Sequence, residues 1–342
     1  TDMLRVAAIL KGKTVHPDVS LSIAPGSRQV LNMLAENGAL ADMIAAGGRV
    51  LESGCGPCIG MGQAPQTGAI SLRTHNRNFP GRSGTASASV YLVSPETAAI
   101  SALTGVLTDP RTMGAMPVIE LPAQYTINDN MIVMPAANPD LVEIVRGPNI
   151  KPFPVNTAIE GDVSGKALIK LDDNITTDHI MPSNAKLLPF RSNVPYLADF
   201  CLTPSDPEFP ARAKANGGGM IIAGANYGQG SSREHAALAP LQLGIKAVLA
   251  KSFARIHMAN LINNGILPLT FRDPADYDAI NLLDDLVIEQ ADEQVRQLVA
   301  NQPLRVINRT NGRTILCDLP LSGRQADILL AGGLLNATRK GS

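Results

Sequence analysis

Apolar positions along the chain fall into short runs whose spacing switches between the two-residue period of a strand and the three-to-four-residue period of a helix. Residues 4–10 read as a strand, followed by a loop around His16-Pro17 and a second apolar strand over 19–23. Pro25-Gly26-Ser27 is a helix-start signal, and Val30, Leu31 and Leu34 place a helix over 28–37. A second helix covers 40–46 and stops at Gly47-Gly48. Residues 49–51, 70–74 and 88–93 read as strands, and 95–103 as a helix. Strands alternating with helices predict a three-layer α/β domain with a largely parallel sheet. Ligands of such a sheet bind outside the carboxyl ends of its strands.

The pattern weakens after Thr108. Eight prolines fall at 110, 117, 122, 135, 139, 148, 152 and 154, which reads as a long connection over 108–161 between domains at 1–107 and 162–342. In the second domain the strands are 166–171, 220–223, 247–250 and 266–269, with short helices at 196–201 and 210–215. A Gly-rich loop, Gly224-Ala225-Asn226-Tyr227-Gly228-Gln229-Gly230, leads into a helix predicted from Ser231 to about Leu243, and another helix covers 253–262. Residues 286–319 read as mainly β, ahead of a helix at 324–335. The expectation is a smaller, mixed β/α domain.

Composition narrows the function classes. A chain of 342 residues with 45% hydrophobic residues is long enough for two or three domains with their own cores. Its longest apolar runs, such as 220–225, are too short to cross a bilayer, so no membrane partner is expected. A net charge of −1 gives no support to nucleic-acid binding. Four cysteines, two of them as Cys55-Gly56-Pro57-Cys58, do not make a secreted disulfide framework, and a reducing, cytoplasm-like compartment is expected. The chain enters directly into an apolar run at Thr1-Asp2-Met3-Leu4, which reads as a fragment or processed product.

Cys55 and Cys58 lie in a loop with four glycines, which points to metal, iron–sulfur or dithiol chemistry. Structural zinc needs four ligands, usually with a second Cys or His pair close by, whereas Cys201 and Cys317 read as core residues. A thioredoxin-type dithiol sits at a helix start, and Ile59-Gly60-Met61-Gly62 is a poor helix. A cluster held by Cys55, Cys58 and a ligand from elsewhere is left. Downstream, Arg73-Thr74-His75-Asn76-Arg77-Asn78-Phe79-Pro80-Gly81-Arg82 carries three arginines without a carboxylate, which suits bidentate binding of carboxylates as well as a solvated loop. Ser231 and Ser232, with Arg233, read either as an anion site at a helix start or as a capping box closed by Glu234. The loop lacks the third glycine and the following acidic residue of a dinucleotide fingerprint. Asp178-His179 reads as a turn or as a charge-tuned pair, and Arg191 stands alone.

Taken in order, Gly54-Cys55-Gly56-Pro57-Cys58-Ile59-Gly60, Asn76-Arg77-Asn78-Phe79 with Gly81-Arg82, Thr176-Thr177-Asp178-His179-Ile180 and Gly230-Ser231-Ser232-Arg233-Glu234-His235 resemble the motifs of the aconitase family, as does Lys251-Ser252-Phe253-Ala254-Arg255-Ile256-His257. The resemblance covers the carboxyl-terminal half of that enzyme: its third α/β domain, linker and swivel domain. It implies isomerisation of citrate to isocitrate through cis-aconitate at a [4Fe–4S] cluster, with Cys55 and Cys58 as two of its three cysteine ligands. By the same resemblance Asn76 lies beside the cluster, and Arg77, Arg82, Arg191 and Arg233 hold substrate carboxylates. Ser232 is then the base, Ser231 assists it, and Asp178 and His179 support the site. Met181 departs from the pattern, since many aconitases place a serine there. The third cysteine and the residues serving the leaving hydroxyl belong to amino-terminal domains, so the chain alone is expected to be inactive. Homoaconitase and isopropylmalate isomerase share the chemistry. A cluster-free RNA-binding module and a zinc domain are the readings from other classes, and the mitochondrial matrix is the expected location in a eukaryote.

Overall fold

The computed structural model describes every residue except Arg77, Ala185 and Ser342. It divides into two compact units, Thr1–Val142 and Glu143–Ser342.

In the first unit the order is α1 (Asp2–Leu10), β1 (Ser22–Ile23), α2 (Arg28–Glu36), α3 (Ala39–Ala45), β2 (Arg49–Val50), β3 (Ile70–Arg73), β4 (Ser89–Leu92) and α4 (Pro95–Thr104). Ser27 caps α2 by accepting from the Val30 amide, and Ser94 caps α4 by accepting from Thr97. The strand expected over 4–10 is the helix α1. Its buried residues Val6, Ala7, Ile9 and Leu10 form one helical face, packed on α3 and α4. A seven-residue apolar run does not distinguish the two periods, and packing decided it. The strands pair in parallel, as β1 with β2 and β3 with β4, but these are two separate two-stranded sheets rather than one layer. The apolar core gathers Leu10, Ile23, Leu34, Met43 and Ile100. Beyond α4 the chain is irregular to residue 162 apart from two single 3₁₀ turns, and Val118, Val133 and Val145 are almost fully exposed.

The second unit holds β5 (Val163–Leu171), α5 (Thr177–Ile180), α6 (Val194–Ala198), α7 (Phe209–Ala215), β6 (Gly219–Ala223), α8 (His235–Gln242), β7 (Ile245–Ala250), α9 (Arg255–Asn263) and β8 (Leu267–Phe271). After these come β9 (Asp285–Ile288), α10 (Ala291–Leu298), β10 (Leu304–Asn308), β11 (Arg313–Asp318), α11 (Gly323–Leu330) and α12 (Leu334–Arg339). Seven strands close a barrel in the order β10-β11-β8-β7-β6-β5-β9. The run β5 to β8 pairs in parallel, and β9, β10 and β11 add antiparallel pairings. The class is mixed α/β with a parallel-rich sheet. The unit expected to be smaller is the larger one.

Alternation along the strands explains the closure. Met220 and Ile222 join one cluster, to which every strand of the barrel and the helices α9 to α12 contribute. Ile221 and Ala223 point the other way, into a second cluster with Phe209 of α7 and Ala236 of α8. Burial on both faces is why β6 reads as an unbroken apolar run. The stretch expected to be mainly β also contains helix α10, whose buried residues Ala291, Gln294, Val295 and Leu298 carry the helical spacing.

His257 on α9 is 1% exposed, and neither ring nitrogen has a hydrogen-bond partner. Burial pushes its pKa down from 6.5 to about 4. Below pH 6.5 the unfolded chain takes up a proton that the folded chain refuses, so stability is lost as pH falls from about 6.5 to about 4. The loss approaches about 3 kcal/mol at the bottom of that window. Denaturant unfolding of the wild type and His257→Phe at pH 7 and pH 4.5 measures it. The stability difference between the two proteins should shift with pH, and a constant difference would refute the assignment.

Candidate functional site

In the first unit, the loop after β2 makes one 3₁₀ turn over Pro57–Ile59, with the Ile59 and Met61 amides both donating to Gly56 O. Gly60 closes it at φ +82°, where a Cβ would collide with the Ser83 carbonyl. This turn exposes Cys55 and buries Cys58, and neither is in a disulfide. Around Cys58 the structure gathers basic groups. Arg82 Nη2 donates to Cys58 Sγ at 3.7 Å, and its guanidinium stands 5.9 Å from the Phe79 ring centroid. Arg73, at the end of β3, is buried, and its Nε donates to Ser71 Oγ at 3.0 Å. Burial lowers the Arg73 pKa, partly offset by Cys58. Burial also lowers the His75 pKa, reinforced by Arg73 and Arg82, which keeps its ring neutral at neutral pH. Asn76 is exposed, and Arg77 lies outside the described residues.

In the second unit, the Gly-rich loop is held on both sides. Gly228 N donates to Ile175 O at 2.7 Å, Thr177 N to Gln229 O at 2.8 Å, and Tyr227 N to Ser252 O at 3.0 Å. Ser231 and Ser232 follow this loop but do not start the helix. Helix α8 begins at His235, and its N-cap Glu234 has no side-chain capping bond. The expected capping box of Ser231 with Glu234 therefore does not form. Instead the Arg233 amide turns back to Ser231 O at 2.8 Å, a tight turn that keeps Ser232 exposed.

Arg233 is the most constrained cation here. Its Nη1 meets Asp178 Oδ1 at 2.6 Å and Met181 O at 3.3 Å, while Nη2 is buried with no protein partner. A cavity of about 130 Å³ opens beside it, lined by Met181, Ser183, Arg191, Ser232, Arg233 and His235 among others. Arg191 Nη2 donates to Ser183 Oγ at 3.2 Å, and its carbonyl lies 2.8 Å from His235 Nε2. Asp178 and His179 take separate partners. Asp178 fixes Arg233, whereas His179 Nδ1 accepts from the Thr176 amide at 3.1 Å and closes a capping box at α5. His179 is thus a structural cap on a four-residue helix.

The model of the aconitase family (aconitate hydratase) matches residues 1–105, and that of the aconitase C-terminal domain matches residues 205–274. The chain belongs to the aconitase family. It is similar to a putative mitochondrial aconitate hydratase of Aspergillus fumigatus, 32% identical over 99% of this chain and 49% of that protein. The mitochondrial homoaconitase of Debaryomyces hansenii is 38% identical over 79% of this chain and 38% of that protein. Among solved structures, a 3-isopropylmalate dehydratase from Methanocaldococcus jannaschii shares 36% identity over 53% of this chain and 95% of that one, with a TM-score of 0.43. This aconitase-family chain spans about half the length of the curated relatives it matches, or less.

Members of the family generally carry a [4Fe–4S] cluster, and the donor set around Cys58 fits part of one. Two thiols come from one glycine-rich loop, and a guanidinium donates to one of the sulfurs. The other cysteines do not complete it. Cys201 and Cys317 are buried in the apolar clusters of the second unit, where burial raises their thiol pKa values far above the usual range. Among the described residues no three His, Cys, Asp or Glu side chains converge on a metal position. In the sequence Arg73 stands out only as one of three arginines, and nothing there marks His75 for a role. The signal for Arg73 was its position at the inward end of a strand, where a charged residue is unusual.

Proposed function

We propose that this chain carries one share of the active site of an aconitase-family hydro-lyase that interconverts citrate and isocitrate through cis-aconitate. The observation behind the reading is Arg233. Its guanidinium is anchored on one nitrogen and unpartnered on the other, beside a cavity that also carries Ser232 and Arg191. An anchored fork of this kind suits a carboxylate, and two arginines beside one cavity suit a polycarboxylate. Ser232 Oγ, exposed next to Arg233, removes the proton α to a carboxylate, and the two arginines stabilise the negative charge that develops. Asp178 keeps Arg233 aimed. Cys55 and Cys58 would hold two positions of the cluster, which when bound supplies a Lewis acid for the substrate hydroxyl. In this reading Asn76, Arg77 and Arg82 also belong to the substrate-binding set, with Ser231 assisting Ser232. The proposed division is an α/β domain over 1–107, a linker over 108–161 and a swivel domain over 162–342, joined in the working protein to amino-terminal domains bearing a third cysteine. A mitochondrial matrix location fits the names of the relatives.

Homocitrate chemistry is the second reading, because several similar relatives are homoaconitases. Turnover assays on the full-length protein with citrate, homocitrate and 2-isopropylmalate decide between them. Citrate is expected to give the highest kcat/KM, and a tenfold preference for another substrate would overturn the assignment. Replacing Cys58 by Ser in that protein is expected to lower bound iron from about four atoms per chain toward zero. Iron and sulfide analysis checks this, and an unchanged content would remove Cys58 from the ligand set.

A further inference from the structure

Charge accounting around Cys58 leaves a surplus. Arg73 is 7% exposed and His75 and Arg82 are partly buried, yet no carboxylate pairs with either arginine among the described residues. Arg73 Nη1, Arg82 Nε, His75 Nε2, and the hydroxyl oxygens of Ser53 and Ser83 are all buried with no hydrogen-bond partner. Nearly half of such atoms among the described residues thus come from residues 53–83 of one unit. A protein rarely buries one unpaired guanidinium, because desolvation costs several kcal/mol per ion unless an opposite charge compensates it.

The groups are arranged as well as abundant. The bond from Arg73 Nε to Ser71 Oγ fixes the guanidinium plane and leaves Nη1 facing inward. Arg82 is fixed by its Nη2 contact with Cys58 and by the Phe79 ring. The field of both arginines also reaches the His75 ring, where it adds to burial in lowering the pKa. Ser83 follows Arg82 directly and packs its backbone against Gly60 of the cysteine turn.

We propose that Arg73, His75 and Arg82, with Ser53 and Ser83, form a carboxylate-binding subsite in which Arg73 and His75 extend the set of substrate-binding residues. The anion supplies the missing charge and accepts hydrogen bonds from the unpartnered donors. This deepens the functional reading above and rests on it only for which carboxylate is bound. It predicts an unusual response to mutation: removing Arg73 removes an uncompensated buried charge, so stability without ligand is kept or rises.

Calorimetric unfolding of the 342-residue chain, titrated with sodium citrate and sodium acetate against sodium chloride at matched ionic strength, tests the proposal. Both carboxylates should raise the unfolding temperature of the first unit by about 4 °C or more and saturate. Arg73→Met should abolish the rise while unfolding no earlier than the wild type in chloride. Arg73→Lys, which keeps the charge but loses the fork, should retain a smaller rise. A carboxylate effect no larger than that of chloride, or one that survives Arg73→Met, overturns the subsite. So does an Arg73→Met chain that is destabilised without ligand, because that marks a structural arginine. None of these results depends on turnover, so a failed substrate assignment leaves the subsite standing, and the converse also holds.

Discussion

Ser232→Ala in the full-length protein is expected to lower kcat by about 10²–10⁴-fold, the range for losing a positioned acid–base group. KM should change little, because the carboxylates are held by the arginines rather than by the hydroxyl. Ser232 is exposed and Arg233 makes its bonds without it, so stability should stay within about 0.5 kcal/mol of the wild type. Steady-state kinetics together with thermal unfolding separate these effects. Ser231→Ala is expected to cost less, since the backbone carbonyl of Ser231, not its side chain, closes the turn on the Arg233 amide. Activity within threefold of wild type in Ser232→Ala would remove Ser232 as the base and move the search to other groups lining the cavity.

Gly228→Ala should be strongly destabilising to the second unit. Gly228 sits at φ +82°, and a Cβ there would overlap the ring of His257, which is fully buried and has no room to swing away. Left-handed strain of about 1–2 kcal/mol adds to overpacking of about 1–3 kcal/mol. The expected destabilisation is therefore about 2–5 kcal/mol, measured by denaturant unfolding. Because the loop continues through Gly230 to Ser231, Ser232 and Arg233, kcat should fall as well. Gly228→Ala combined with His257→Ala should recover part of the stability, because the collision disappears while the strain remains. A double variant no better than the sum of its singles would show that the ring is not the obstacle.

His257 therefore has two consequences from one cause. The space that refuses a Cβ at Gly228 is filled by an imidazole so well buried that it stays neutral to about pH 4. The tight loop and the acid sensitivity of the second unit are linked through that ring.

How much of this was legible in the residues differs between the two units. Cys55-Gly56-Pro57-Cys58, the Asn76 to Arg82 stretch and Ser231-Ser232-Arg233 stood out because glycine, cysteine and arginine at close spacing have few uses in a solvated loop. The family followed from their order along the chain. Helices with a side-chain cap, such as α2 and α4, were also placed from sequence. Helix α1 was not, because a short apolar run fits either period until its neighbours choose one. The helix expected from Ser231 begins four residues later, because Arg233 is drawn to Asp178 and Met181, residues more than fifty positions away.

By itself, then, the sequence determined the mixed α/β class, the family and the chemical types at the site, since these depend on local spacing and residue identity. Only the tertiary structure decided that the second sheet closes into a barrel, that Asp178 rather than His179 serves Arg233, and that Arg73 and His75 carry buried, unpartnered donors beside the cysteine loop. The physical reason is common to all three. Strand closure, ion pairing and charge compensation are set by residues brought together from distant parts of the chain, and no local pattern records which of them will meet.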